Sequence, residues 1–106
     1  MKVANRNESN GTSFHGHTIH ASVNDLIAVC GEPLYVCRDH YEKVQYEWVM
    51  ETNAGKVFTI YDWKEYRFFS EDETIEWHIG AHDGQTALAG LRELAPALKT
   101  RNETGA

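Results

Sequence analysis

The sequence has few cysteines and few positive charges, and each shortage restricts what the protein can do. Its two cysteines, Cys30 and Cys37, flank residues 31–33 and lack the Cys-x-x-Cys spacing of a metal site. We expect two buried free thiols in a reducing compartment, with a disulfide between them as the alternative. Ten Lys and Arg against 16 Asp and Glu give a net charge of -6. This balance argues against direct binding of duplex nucleic acid through its phosphates.

Long apolar runs are absent as well. None approaches the roughly 20 residues of a membrane span, and residues 1–10 lack the apolar stretch of a signal peptide. We therefore expect an intracellular protein without a membrane partner. The 106 residues are enough for one domain. We predict a disordered arm at residues 1–11, a single domain at 12–98 and a polar tail at 99–106.

Two helices are predicted from apolar periodicity and from residues that favour helix ends. Ser22 is a suitable N-cap for an amphipathic helix that ends at Gly31. Asp83 is a candidate N-cap for a second helix near the end of the chain. Pro96 is expected to kink or end that helix near Leu94, because proline lacks the N–H that the helix requires.

Alternation of apolar and polar residues predicts the strands. They cover residues 12–20, 44–51, 56–64 and 74–81. Opposite charges favour pairing Glu51 with Lys56 across the turn between the second and third strands, which places Trp48 opposite Thr59. The predicted fold is α+β, in the order β-α-β-β-β-α: an antiparallel sheet of three to four strands with two helices packed on one face.

This register divides the predicted sheet into a core face and a second face of mixed polarity. The predicted core face carries Tyr46, Trp48, Met50, Val57, Tyr61, Trp63, Ile75 and Trp77. The second face carries Glu47, Val49, Phe58, Ile60, Asp62, Lys64, Glu76 and His78. Because the second face is too apolar for plain solvent, it is expected to meet a partner or a second copy of the chain, and we predict a homo-oligomer.

Aromatic residues are concentrated between residues 41 and 77, where all except Phe14 and Tyr35 lie. Such density is typical either of a heavy core or of a pocket in which rings stack on a nucleobase. We predict a pocket for a small nucleotide-like ligand, with cations that contact phosphate or ribose groups. Its candidate residues are Trp63, Lys64, Tyr66, Arg67, Trp77 and His78. The alternative is that the tryptophans only fill the core.

The histidines raise a second alternative, a metal-dependent enzyme that uses His15, His17 and His78. His15 and His17 share one face of a predicted strand, a spacing at which two imidazoles can bind zinc or iron. No carboxylate completes a ligand set of known spacing, and the sequence has no P-loop, Gly-x-Ser-x-Gly or dinucleotide motif. We therefore predict a binding protein without enzymatic activity, metal or other cofactor.

Five short motifs carry a resemblance to known proteins. They are Gly-Thr-Ser-Phe at 11–14, Gly-Glu-Pro at 31–33, Tyr-Glu-Trp at 46–48, Thr-Ile-Tyr-Asp-Trp-Lys at 59–64 and Trp-His-Ile-Gly at 77–80. As a set, over roughly residues 11–95, they resemble a group of small bacteriophage-encoded proteins of uncharacterised function. The resemblance supplies no catalytic residue that can be assigned to this chain.

The resemblance implies a protein in the cytoplasm of an infected bacterial host, where small phage proteins often counter host defence. Some of these sequester a nucleotide-type immune signalling molecule without cleaving it, and this is the function that we expect. Others are acidic inhibitors that dock on a host defence nuclease, as anti-CRISPR proteins do. For that alternative, an acidic surface would face a basic groove of the partner. Its residues are Glu71, Asp72, Glu73 and Glu76.

Overall fold

Within the described residues, 1–37, 39 and 41–104, this computed structural model contains six strands, two α-helices and one short 3-10 helix. The strands are β1 (Lys2–Val3), β2 (Ser13–Ala21), β3 (Tyr35–Val36), β4 (Tyr46–Glu51), β5 (Val57–Tyr61) and β6 (Ile75–Ala81). The helices are α1 (Val23–Cys30), α2 (Gly84–Thr104) and the 3-10 helix (Arg6–Ser9). The predicted α+β class, with an antiparallel sheet and two helices, is confirmed.

The strands form one antiparallel sheet in the order β1-β4-β5-β6-β2. β3 also pairs with β4, on the edge that β5 does not occupy. β1 pairs with residues 50–51 and β3 with residues 46–47, so the two short strands follow one another along that edge. The prediction of three to four strands is therefore wrong, because a strand of two residues shows no alternation that a sequence pattern can detect.

The ends of α1 agree with the prediction. The Ser22 hydroxyl accepts a hydrogen bond from the Asp25 N–H at 3.1 Å, and the Asp25 carboxylate accepts one from the Ser22 N–H at 3.2 Å. This reciprocal pair satisfies two N–H groups at the start of the helix. At the other end Gly31 has a φ of 85°, a left-handed conformation that glycine adopts without steric cost.

α2 begins after Asp83, whose carboxylate accepts a hydrogen bond from the Thr86 N–H at 2.7 Å. The helix continues through Pro96 to Thr104, so the predicted end near Leu94 is wrong, and the predicted polar tail is helical as far as residue 104. The apolar stripe continues past the proline, because Leu94 and Leu98 are both buried in the core. Residues 105–106 of the predicted tail lie outside the described residues. In the described part of the chain, neither helix combines the length and apolar composition of a membrane-crossing segment.

The pairing of β4 with β5 differs from the predicted register by one residue. Glu51 pairs with Val57, and Trp48 pairs with Ile60. An exposed pair such as Glu51 and Lys56 contributes at most about 1 kcal/mol, whereas burying an apolar side chain contributes about 1.5–3 kcal/mol. The observed register buries both Phe58 and Ile60, which are 0% exposed, and this burial outweighs the charge pair.

The two faces of the sheet differ in what covers them. The helix face packs against α1 and α2 and forms the core, where the rings of Trp48 and Trp77 meet edge to face at 5.4 Å. We call the opposite side the open face. It carries Phe14, Glu47, Val49, Val57, Thr59, Tyr61, Glu76 and His78. The shifted register therefore moves Tyr61 and the following Trp63 out of the predicted core and onto the open face.

The N-terminal residues cross part of the open face and are not a disordered arm. The Ala4 N–H donates to the Val49 carbonyl at 2.9 Å, and the 3-10 helix contacts β4 and β5. Val49 is 0% exposed and Thr59 is 1% exposed, although both lie on the open face. The prediction fails because backbone pairing with β4 holds this polar segment, and composition does not reveal such pairing.

Candidate functional site

An open cleft of about 610 Å³ lies at the end of the open face, beside the start of β4 and the end of β5. Its volume is within the range of sites that bind small molecules. The cleft combines four aromatic rings with two cations, two carboxylates and one aliphatic side chain. Its lining residues are Arg6, Tyr35, Tyr41, Glu42, Lys43, Val44, Glu47, Trp63 and Tyr66.

Buried hydrogen bonds to Asp62 join two walls of the cleft, residues 41–44 and the loop after β5. The Asp62 carboxylate is 0% exposed and accepts the backbone N–H groups of Gln45 at 2.9 Å and Tyr46 at 2.8 Å. The Gln45 side chain then donates to the Arg67 carbonyl at 3.1 Å. Burial raises the pKa of Asp62, and the N–H donors partly oppose that increase. These buried hydrogen bonds therefore hold the two walls of the cleft together.

The loop after β5 holds two residues in strained backbone conformations. Lys64 has a φ of 53° and Tyr66 has a φ of 50°, in the left-handed region that L-residues other than Asn and Asp rarely adopt. The Lys64 N–H donates to the Lys43 carbonyl at 2.8 Å, which ties this loop to the opposite wall. Strained residues of this kind concentrate at ligand-binding sites, where the surrounding structure compensates for their cost.

Cations lie over aromatic rings at two places around the cleft. The Arg6 guanidinium is 5.3 Å from the centroid of the Tyr35 ring, and the Lys64 ammonium is 5.5 Å from the centroid of Trp63. Such contacts are electrostatically favourable. Each of these pairs offers a ring for stacking and a donor for an anion next to it.

Glu47 is the half-buried acid of the cleft. Burial raises its pKa, and the nearby positive charge of Arg6 lowers it by a smaller amount. Glu47 pairs with Tyr61 across the sheet, where burial first and the Glu47 charge second raise the pKa of the phenol. A carboxyl at this position can accept hydrogen bonds from hydroxyl or amino groups of a ligand.

Trp63 also belongs to a second group of rings on the open face, which we call the aromatic row: Phe14, Tyr61, Trp63 and His78. The imidazole of His78 stacks on Phe14 with centroids 4.0 Å apart and faces the indole of Trp63 at 6.2 Å. Tyr61 meets His78 edge to face at 5.5 Å. Phe14 and Trp63 remain 43% and 41% exposed, so rings from three strands form one accessible surface.

The structure brings together some of the predicted pocket residues and separates others. Trp63 and Tyr66 line the cleft. Lys64 lies over the ring of Trp63, and His78 lies beside the same ring. Trp77 lies on the helix face at 0% exposure, where its indole N–H donates to the Ala21 carbonyl at 2.8 Å. Its strand position is opposite in parity to that of His78, so it cannot reach the cleft.

Arg67 is directed away from the cleft and toward two acids of its own loop. Its guanidinium forms an ion pair with Glu73 and lies 3.5 Å from a carboxylate oxygen of Glu65. The hydrogen bond that Arg67 donates to the Glu73 carboxylate raises the pKa of Arg67, and the same bond lowers the pKa of Glu73. Arg67 therefore stabilises the loop and does not line the cleft.

Sequence reasoning did not select six of the polar and aromatic residues that line the cleft: Arg6, Tyr35, Tyr41, Glu42, Lys43 and Glu47. Except for Glu47, which the predicted strand pattern placed on the second face, they come from the N-terminal 3-10 helix, from β3 and from irregular segments, which have no periodic pattern to place them. The density of tyrosines before β4 is the signal that could have identified Tyr35 and Tyr41. Nothing local in the sequence places Arg6 beside them.

The acidic tip of residues 71–73 has contacts of its own. The Asn24 amide donates to the Asp72 carboxylate at 2.6 Å, and the Asn24 N–H donates to the Glu71 carbonyl at 3.0 Å. Glu76 lies 3.8 Å from the His20 imidazole on the open face. The two Asn24 contacts join the tip to α1, and the docking of the acidic residues on a basic partner stays a prediction.

The proposed histidine site is not assembled in the described residues. The Nε2–H of His15 donates to the Ala81 carbonyl at 3.1 Å, whereas His78 lies in the aromatic row. Among residues 1–37, 39 and 41–104, no three His, Cys, Asp or Glu side chains are grouped closely enough to hold a metal ion.

In comparisons with known proteins, no family model, curated protein or solved structure matches the chain. The resemblance to small phage proteins therefore stays a prediction.

Proposed function

We propose that this protein binds a small nucleotide-like ligand in the cleft and holds it without cleaving it. The observation that carries the proposal is that the rings of Trp63 and Tyr66 line the same cleft as the cations Arg6 and Lys43. Stacking on an indole or phenol is available to every nucleobase, and adjacent cations favour the phosphate that accompanies it.

The contacts available in the cleft match the three parts of a nucleotide. The exposed indole of Trp63 offers a surface for the base, and Arg6 and Lys43 offer donors to phosphate oxygens. The carboxyl of Glu47 can accept hydrogen bonds from ribose hydroxyls, the role that acidic residues have in many nucleotide sites.

We further propose that the protein acts in the cytoplasm of an infected bacterium, as the resemblance to small phage proteins implies. A phage protein in the cytoplasm of an infected bacterium would lower the free concentration of a nucleotide immune signal by sequestering it. Sequestration needs affinity and abundance, and it needs no chemical step. The homo-oligomer expected from the sequence also stays a prediction, because the structure contains one chain.

Calorimetric titration tests the proposal with a panel of cyclic mononucleotides, cyclic dinucleotides and ADP-ribose. We expect saturable binding of at least one member at one ligand per chain. Because a stacked base contributes about 1–3 kcal/mol, Trp63→Ala is expected to weaken that binding at least fivefold. Chromatography of the released ligand should show it intact.

Phe68→Ala is the matched control, because Phe68 is an aromatic of the same loop, is 64% exposed and does not line the cleft. Its affinity should equal that of the unmodified protein. No binding of any panel member, or equal losses in Trp63→Ala and Phe68→Ala, would refute the proposal.

A further inference from the structure

We infer that the ligand carries two nucleobases, one in the cleft and one on the aromatic row. The inference rests on the proposed function and specifies the class of ligand as a dinucleotide. Its starting point is that Trp63 belongs to both surfaces, since it lines the cleft and also faces His78 at 6.2 Å. The two surfaces are therefore continuous across one indole ring.

The register of the sheet aligns the two surfaces. Glu47 of β4 pairs with Tyr61 of β5, Tyr61 pairs with His78 of β6, and His78 pairs with Thr18 of β2. Side chains paired in this way share one face and are neighbours across the strands. A transverse line on the open face thus runs from the cleft acid to His78. Phe14 pairs with Gly80, two residues further along β6, and meets this line through its ring, which stacks on His78 at 4.0 Å.

The two rings at the ends of the aromatic row are more exposed to solvent than rings that only fill a core. Phe14 and Trp63 are 43% and 41% exposed at its two ends, and His78 between them is half-buried. A mononucleotide in the cleft would leave Phe14 in water. A second base that stacks at the outer end of the row would cover Phe14, in the way that bases stack on aromatic side chains of single-strand binding proteins.

Charge limits the number of phosphates in the ligand. Arg6 and Lys43 line the cleft, and Lys64 lies 5.5 Å from the centroid of the Trp63 ring, which separates the cleft from the row. Against these cations stand two cleft carboxylates and a net charge of -6. This balance suits one or two phosphates between two bases, and it disfavours a long polyanion.

The test compares three named probes by calorimetry: AMP, the linear dinucleotide pApA and a ten-residue oligoadenylate. We expect pApA to bind about tenfold or more tightly than AMP, because a second base adds a second stacking contact. The decanucleotide should bind no better than pApA. Equal affinity for AMP and pApA overturns the inference but leaves the proposed function in place. Failure of all three probes to bind also overturns the inference.

Substitution of Phe14 separates the row from the cleft. Phe14→Ala should remove most of the advantage of pApA and leave the affinity for AMP unchanged, whereas Phe14→Tyr should retain the advantage. His20→Ala is the control, because His20 lies on the same strand and face but outside the row. Equal losses for AMP and pApA in Phe14→Ala, with circular dichroism showing a folded variant, would overturn the inference.

Discussion

The carboxylate of Asp62 accepts the backbone N–H of Tyr46 at 2.8 Å. Asp62 follows β5 and Tyr46 begins β4, so this bond closes the end of the hairpin beside the cleft. The same carboxylate also accepts the N–H of Gln45. One buried acid therefore accepts hydrogen bonds from two backbone N–H groups next to the core.

Replacing Asp62 tests this role. Asp62→Ala is expected to lower the free energy of unfolding by about 2–4 kcal/mol, because it removes the carboxylate that accepts hydrogen bonds from two buried N–H groups. Asp62→Asn keeps an acceptor oxygen and should cost about 1 kcal/mol. Urea unfolding monitored by circular dichroism measures both, and equal stabilities of the unmodified protein and Asp62→Ala would contradict this role.

Gly90 of α2 lies against the ring of Phe58, and a Cβ at this position would be 2.5 Å from the ring. Gly90→Ala is expected to destabilise the protein by about 1–3 kcal/mol through overpacking, more than the roughly 0.5–1 kcal/mol that alanine adds in helix propensity. Gly84→Ala in the same helix is the control, since its Cβ would meet His15 at an ordinary 4.0 Å. Thermal unfolding should separate the two variants, and an unchanged melting temperature for Gly90→Ala would contradict the close packing.

His78 is expected to titrate below its ordinary pKa of 6.5, because desolvation among the rings disfavours the imidazolium more than the charge of Glu76 favours it. The unfolded chain then binds more protons at this residue, so its contribution to stability decreases as the pH falls below 6.5. Trp63→Ala should raise the pKa toward its ordinary value by admitting water. An NMR titration of the ring protons, assigned with His78→Gln, measures the shift, and a pKa at or above the ordinary value would contradict it.

The two free cysteines are expected to differ in reactivity. Burial raises the pKa of the Cys30 thiol to about 12, so it carries almost no thiolate at neutral pH. Cys37 is only half-buried, contrary to the expectation of two buried thiols. A thiol reagent should therefore modify one cysteine rapidly in the folded protein and the second only in denaturant. Cys37→Ser should abolish the rapid phase, and two rapid equivalents in the unmodified protein would contradict the burial of Cys30.

Signals within a few residues of each other predicted the local structure well. The N-cap Ser22 and the terminal Gly31 define the two ends of α1, and both were predicted from their places next to the apolar pattern of the helix. The register of β4 and β5 was not readable, because it depends on which residues the helices cover. A shift of one residue exchanges the two faces of a strand. Here it moved Trp63 from the predicted core to the open face, and it moved Phe58 and Ile60 from the predicted second face into the core.

The candidate site shows the same division between local and distant information. Trp63, Lys64 and Tyr66 were selected because they are adjacent in an aromatic segment. Arg6 was missed because it reaches the cleft only after the N-terminal segment crosses the sheet. Trp77 was selected wrongly for the opposite reason, since sequence proximity to His78 concealed the fact that alternate residues of β6 lie on opposite faces.

Heteronuclear NMR of the three indole N–H signals tests the central claim most directly. The Trp48 and Trp77 indoles donate to backbone carbonyls at 2.8 Å within the core, whereas Trp63 is 41% exposed at the cleft. On titration with AMP and then pApA, the account predicts a saturable shift of the Trp63 signal while the signals of Trp48 and Trp77 stay in place. An unmoved Trp63 signal with both ligands would contradict it.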